Sequence, residues 1–370
     1  MHTNGDSRLF TPTRIGRYTV PNRIVMAPMT RSRADASGVP SPIAATYYAQ
    51  RSSAGLIISE AAHVAPEGVG YPGTPGIHSE AQAAGWRRVT QAVHAKGGRI
   101  FLQLWHVGRV SHPCMQPGEA RPVAPSALPA LGQIYTAAGM QTLVTPRALE
   151  TAEVPRVVNQ FAHAARMARE AGFDGVDIHA ANGYLIDQFL RDGSNHRSDR
   201  YGGSIPNRAR FLLEVTEAIV AEWGSDSVGV RLSPLNPYNS MGDSTPHETF
   251  PYVAEALSRL GLGYLHVAEH GPDHPLATPA DCHMLRALRS VFLGSLVVDG
   301  GRDRVSAEGA LTAASADFVA LATPFISNPD LVQRMARGLP LTLADPATFY
   351  GGGARGYTDY PACDDSLQLQ

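Results

Sequence analysis

Short apolar runs alternate along the chain with longer stretches in which apolar and polar residues recur at helical spacing. Eight of the runs read as strands: 23–28, 55–60, 99–104, 175–180, 228–233, 264–268, 295–300 and 317–321. Each is nearly continuous in Val, Ile and Leu, the pattern of a strand covered on both faces. The stretches between them predict helices over about 43–54, 80–96, 155–171, 206–223, 250–260, 279–290, 305–314 and 329–337. Ser41-Pro42, Thr278-Pro279 and Asn328-Pro329 supply start signals, and Ala171-Gly172 a stop.

Eight β–α pairs in series mean a closed parallel barrel or a large doubly wound sheet. No GxGxxG follows the first strand, and the unusual polar residues cluster just after strands. Both favour an α/β fold of the (β/α)8 TIM-barrel type, whose chemistry sits at the C-terminal strand ends. Residues 9–22 are expected to form an N-terminal hairpin closing the barrel bottom. The Pro- and Gly-rich stretch 105–154, after strand 3, is expected to be a long functional loop. The expected organisation is one domain over 1–370, with a barrel core at about 23–337 and segment 338–370 packing near the active-site rim.

Composition narrows the classes. Of 370 residues, 44% are hydrophobic and 17% charged, enough to bury a large core. Basic residues number 31 and acidic ones 33, with no basic cluster to bind nucleic acid or a membrane surface. Cys114, Cys282 and Cys363 lie far apart, which excludes a disulfide framework and a CxxC-type metal site; no metal is expected. A reducing, cytoplasmic setting is the simple reading. The first ten residues hold no apolar signal-peptide region, and no apolar run approaches the roughly 20 residues of a membrane span.

Candidate chemistry gathers at the strand ends. The first strand runs into Ala27-Pro28-Met29-Thr30, and the third delivers Gln103, Trp105 and His106. The fourth delivers His179, Asn182 and Tyr184, the fifth Arg231, and the seventh Asp299-Gly300-Gly301. Singly, a histidine after a strand is more often structural than catalytic, and a Gly-Gly pair more often a turn than a phosphate cradle. An arginine inside an apolar strand says more, because a buried guanidinium needs an anion or acceptors.

Several segments carry a resemblance: APMTRSRA (27–34), LQLWHVGR (102–109), HAANGYLIDQFL (179–190), SNHRSDRYGGSIPNRARFLLEV (194–215), GVRLSP (229–234), FISNPDL (325–331) and FYGGGARGYTDYP (349–361). In this order and spacing the chain resembles the old yellow enzyme family of FMN-dependent ene reductases. Thr30, where another branch has Cys, points to the classical bacterial and yeast branch.

The resemblance implies FMN as cofactor and NADPH or NADH as reductant. Ala27, Pro28, Met29, Thr30, Ala61, Gln103, Arg231, Gly300, Gly301, Ala322 and Thr323 would contact FMN. In that scheme Thr30 hydrogen-bonds the flavin O4, Gln103 binds the pyrimidine edge, and Arg231 sits by N1 and O2, where negative charge develops. His179 and Asn182 would hold the carbonyl or nitro oxygen of an unsaturated substrate. Tyr184 would protonate its α-carbon as hydride reaches the β-carbon, and Tyr71, Trp105 and Tyr350 would line the pocket.

Two positions depart from the family pattern. Ala322-Thr323 stands where members typically have Gly-Arg, the Arg holding the FMN phosphate, and Asp299 stands where a small residue is usual. Either backbone N–H groups with Arg302 still hold the phosphate, or the site has lost FMN and the rim serves acid–base isomerisation or cyclisation. A non-catalytic small-molecule binder is the third class. The small-molecule partners expected are the enone or nitro substrate and NAD(P)H, with the protein a monomer or homo-oligomer.

Overall fold

The computed structural model describes residues 7–268, 279–299, 301, 303–313 and 316–363. Eight parallel strands close on themselves: β1 (Ile24–Met26), β2 (Leu56–Ile58), β3 (Ile100–Trp105), β4 (Gly175–Ala180), β5 (Val228–Leu232), β6 (Tyr264–Val267), β7 (Ser295–Asp299) and β8 (Phe318–Leu321). Each pairs with the next, and β8 returns to β1 through Val319 opposite Ile24 and Leu321 opposite Met26.

Successive residues of a strand point to opposite faces, so each strand serves two environments. The outward residues, such as Val176 and Ile178 of β4 or Val228 and Val230 of β5, are fully buried under the helices. The inward set is apolar at the bottom, where Val25, Leu56, Phe101, Val297 and Phe318 form their own cluster. Toward the top it turns polar: Gln103, Asp177, His179, Arg231, His266 and Asp299. Alternation, not continuous hydrophobicity, is therefore the rule in β3 to β7.

One main helix follows each strand: α1 (Ile43–Ala49), α2 (Glu80–His94), α3 (Val154–Glu170), α4 (Ile205–Trp223), α5 (Pro246–Arg259), α6 (Pro279–Val291), α7 (Arg304–Ala313) and α8 (Leu331–Arg337). Ser79 and Gln82 cap α2 reciprocally, side chain to backbone in both directions. α3 buries Val154, Val157, Val158, Phe161, Ala164, Ala165 and Ala168, a stripe at the 3.6-residue period.

Boundaries that differ from the sequence reading include those of three helices. α1 stops at Ala49, and Arg51 turns inward to donate to the Phe325 and Ile326 carbonyls. α5 starts earlier, at Pro246, and carries Pro251 inside it. α8 starts at Leu331, because Asn328 spends its side chain on Thr342 and on the Pro324 carbonyl instead of capping a helix.

The expected N-terminal hairpin is present as Thr13–Ile15 paired with Tyr18–Val20. Ile15 and Val20, each 1% exposed, enter the bottom cluster inside the barrel, and Tyr18 packs on Phe101. Each such burial contributes about 1.5–3 kcal/mol. The stretch after β3 is more structured than expected. It holds a second hairpin, Gln133–Thr136 with Gly139–Thr142, and a short parallel pair, Val123–Ala124 with Arg147–Ala148.

The C-terminal segment is clasped to the barrel mouth. Arg31 donates to the carbonyls of Phe349 and Gly356 at 2.9 and 2.8 Å, and Arg33 to those of Gly353 and Thr348 at 3.1 Å each. Tyr357 stacks on Tyr47 at 4.0 Å, and the Arg33 and Arg51 guanidinium groups lie over these two rings. Arg31 and Arg33 lie in the segment directly after β1, so that segment and residues 348–357 are built as one wall.

Candidate active site

At the top of the barrel, strand register sets polar residues side by side. His179 of β4 is opposite Arg231 of β5, which is opposite His266 of β6. One layer below, Gln103 of β3 is opposite Asp177 of β4. Gln103 Nε2 donates to Asp177 Oδ2 at 2.8 Å, and the Tyr264 hydroxyl donates to Asp177 Oδ1 at 2.9 Å. Tyr264 reaches across because Gly229 lies between: a Cβ there would stand 2.1 Å from the Tyr264 ring. Burial raises the Asp177 carboxyl above the usual range despite these donors.

Arg231 Nε and both ring nitrogens of His266 are buried without a hydrogen-bond partner among the described residues. Unpaired polar groups of this kind are rare inside proteins, and the Arg231 donor marks where a ligand with acceptors belongs. The carbonyl-rich pyrimidine end of a flavin fits that demand: Arg231 would face N1 and O2, and Gln103 the neighbouring edge.

Above this layer a cavity of about 730 Å3 is lined by Thr30, Ser32, Tyr71, Pro72, Gly73, Tyr135, Tyr184, Tyr238, Tyr350 and Gly351. That is within the size range of small-molecule and cofactor sites, roughly 300–1,000 Å3. Thr30 follows β1 in a segment held by Glu60, whose Oε2 accepts from the backbone N–H of Arg31 at 3.0 Å. Tyr184 sits edge-on to Trp105 at 4.9 Å and to His179 at 5.0 Å, and its hydroxyl lies 3.4 Å from that of Tyr71. Trp105 in turn stacks on Tyr71 at 5.8 Å, with Ala61 in the same apolar cluster.

Burial, helped by Arg231 and His266, holds the His179 imidazole well below its ordinary value, so it is neutral at pH 7. Its Nδ1 accepts from the Ala181 N–H at 3.4 Å, which leaves Nε2 as the N–H donor. Tyr184 is pushed the other way: burial first, then Tyr71, raise its phenol well above the ordinary value. A neutral donor and a protonated phenol thus share one corner.

Asn182 adopts a left-handed backbone, φ 57°, rare for a residue with a side chain and tolerated best by Asn. Its N–H donates to Ser233 Oγ at 2.7 Å, its carbonyl accepts from Asn239 Nδ2 at 2.7 Å, and its Oδ1 accepts from Asn236 Nδ2 at 3.1 Å.

The structure thus brings Thr30, Gln103, Arg231, His179, Asn182, Tyr184, Tyr71, Trp105 and Tyr350 to one mouth. Ala27 is buried, and Pro28 and Met29 continue the backbone to Thr30. His106 stays apart, buried beside Glu67, its Nδ1 accepting from the Gly108 N–H. At the other end of the mouth, Ala322 and Thr323 are exposed at the start of a short helix, Thr323–Ser327. Gly301 has φ +76°, and a Cβ there would meet Ser306 at 2.5 Å. Gly300 and Arg302 lie outside the described residues. Asp299 Oδ1 is 3.6 Å from His266 Nε2 and its side chain is 40% exposed. Among Asp299, Gly301, Ala322 and Thr323 there is no cation to meet a phosphate.

Sequence reasoning missed Asp177, His266, Tyr135, Tyr238 and the residues around Asn182. The first two carried a signal, since Asp177 is two residues from His179 and so shares its face, and His266 interrupts an apolar strand.

The NADH:flavin oxidoreductase / NADH oxidase family model matches residues 8–342. That match covers most of the chain and spans the whole barrel. The protein belongs to this family, the old yellow enzyme family. Among its relatives, 12-oxophytodienoate reductase 2 of Arabidopsis thaliana is 42% identical over 361 residues, 97% of this chain and 96% of that protein. 12-Oxophytodienoate reductase 7 of Oryza sativa subsp. japonica is 43% identical over 372 residues, covering 95% and 94%. Among solved structures, morphinone reductase superposes with a TM-score of 0.93 at 46% identity over the full length of both chains. The old yellow enzyme homologue from Zymomonas mobilis gives 0.90 at 45% identity, covering 95% of this chain and 99% of that one. One morphinone reductase structure holds tetrahydroNAD. As a member of the old yellow enzyme family the protein uses a flavin and a nicotinamide dinucleotide, and none of these relatives supports the flavin-free alternative.

Among the described residues no helix is long and apolar enough to cross a membrane.

Proposed function

We infer that the protein is an FMN-dependent NAD(P)H ene reductase acting on activated C=C bonds of α,β-unsaturated carbonyl or nitro compounds. The observation that carries this reading is the unpartnered Arg231 Nε on the inner barrel wall, in register with His179 and below Tyr184. Arg231 and Gln103 would hold the pyrimidine end of FMN, which when bound would supply the hydride chemistry between NAD(P)H and the substrate's β-carbon. His179 Nε2–H and the Asn182 carboxamide donate to the substrate oxygen and stabilise the charge that develops there. Removing one such donor typically lowers the rate 10²–10³-fold. Tyr184 supplies the proton to the α-carbon, so one hydride and one proton convert C=C to CH–CH. Tyr71 and Trp105 keep water away from the phenol, and Tyr350 borders the entrance. The three free cysteines suit a reducing cytosol, the compartment we propose.

The test is the absorption spectrum. The purified protein, or protein reconstituted with FMN, is expected to be yellow, to bleach anaerobically with NAD(P)H and to regain colour when an enone is added. A colourless protein that cannot take up FMN overturns the reading in favour of flavin-free chemistry.

A further inference from the structure

We propose that Asn236, on the loop after β5, is a positioning residue that sets which end of the Asn182 carboxamide faces the substrate. The inference rests on reading Asn182 as a ligand of the substrate oxygen. A carboxamide can present either an NH2 donor or a carbonyl acceptor, and only the donor attracts a carbonyl or nitro oxygen.

The choice is made by a chain of hydrogen bonds that starts from a group with no freedom. The backbone N–H of Tyr238 can only donate, and Asn236 Oδ1 accepts from it at 2.9 Å. That fixes the Asn236 amide with its Nδ2 at the opposite end, 3.1 Å from Asn182 Oδ1. Asn182 must answer with its oxygen, because a reversed amide would set two NH2 groups against each other. Its own Nδ2 is then the end left for the substrate.

The loop holding Asn236 is itself pinned. Arg191, 2% exposed, donates to the Asn236 carbonyl at 3.1 Å and to the Ser233 carbonyl, and pairs with buried Asp187 at 2.8 Å. Asp187 also accepts from the Gly183 N–H at 2.8 Å, next to Asn182 in the chain. One buried ion pair therefore aligns both the segment that carries Asn182 and the loop that orients it. Ser233 and Asn239 occupy the Asn182 backbone groups, so among the described residues the hydrogen bond to the Asn182 side chain comes from Asn236.

The experiment measures the oxidative half-reaction: FMN-loaded, pre-reduced enzyme is mixed with 2-cyclohexen-1-one, and the limiting rate and half-saturation are read from flavin reoxidation. Asn236→Asp keeps the shape but replaces the donor with an acceptor, which turns the Asn182 amide round. It is expected to approach the loss seen for Asn182→Ala, on the order of 10² in rate over half-saturation. Asn236→Leu, uncharged, frees the amide without reversing it and is expected to cost about tenfold. The Asn182→Ala/Asn236→Asp double variant is expected to match Asn182→Ala alone, because Asn236 acts only through Asn182. The proposal is overturned if both Asn236 variants behave as wild type, or if the Asn236→Asp loss multiplies with that of Asn182→Ala. An Asn182→Ala variant with full activity overturns the assignment of Asn182 itself, a separate failure read in a separate arm.

Discussion

The hydroxyls of Tyr71 and Tyr184 lie 3.4 Å apart inside the cavity, and Tyr71 helps burial to raise the Tyr184 phenol. A phenol held so high keeps its proton at neutral pH and releases it only to a strong base such as the carbon left by hydride addition. Tyr184→Phe is expected to slow the oxidative half-reaction about 10²–10⁴-fold. Flavin reduction by NAD(P)H should stay near wild type. Stopped-flow measurement of each half separately checks this; equal loss in both would remove Tyr184 from the proton step.

The departure at the phosphate end has a measurable sign. Thr323→Arg places a cation beside the short helix after β8, and Asp299→Ala removes a carboxylate that lies 3.6 Å from His266. A charge-assisted contact contributes about 1.5–3 kcal/mol, so Thr323→Arg is expected to tighten FMN binding roughly ten- to a hundredfold. Titration of apoprotein with FMN, followed by fluorescence quenching, reads the change. Unaltered affinity in both variants would mean that the phosphate lies elsewhere.

Much of this architecture was legible in the chain, for identifiable reasons. β4 was placed to the residue, because GVDIHA is bounded by Asp174-Gly175 and the turn into Asn182. The hairpin Gln133–Thr136 with Gly139–Thr142 was not, because its exposed alternate positions, Tyr135 among them, leave no apolar run to read. The rim residues Gln103, His179 and Arg231 were found by position at the C-terminal ends of their strands. The role of Asn236 was invisible, since it depends on which atom of an amide faces a neighbour 54 residues away. Spacing along a chain encodes faces of strands; it does not encode hydrogen-bond polarity across loops.

Asp177 is a support for Gln103 and Tyr264 at once. Asp177→Ala strands both donors in the barrel interior, each at about 1–3 kcal/mol. The expected result is a lowered midpoint in urea unfolding and weaker FMN binding, because Gln103 loses the contact that orients it. Asp177→Asn, which keeps one acceptor, should fall between.

Burial pushes the Glu60 carboxyl up to about 7 from an ordinary 4.5, against the pull of the Arg31 and Ser32 backbone N–H groups. Between those values the folded protein keeps a proton that the unfolded chain has released. Stability contributed by this group therefore falls as pH rises through that window, at about 1.4 kcal/mol per pH unit, and is level above it. Urea unfolding across the window should show this slope in wild type and its loss in Glu60→Gln; parallel profiles would refute it.

Arg31 and Arg33 grip the carbonyls of residues 348–356, and so a segment beyond the last barrel helix completes a wall of the reaction chamber. Synthesis order then matters: Tyr350 and Gly351 leave the ribosome after all eight strands and can take their places only then. A stop between residues 338 and 347 would spare the eight strands and still leave the chamber open on one side, with the substrate unsheltered.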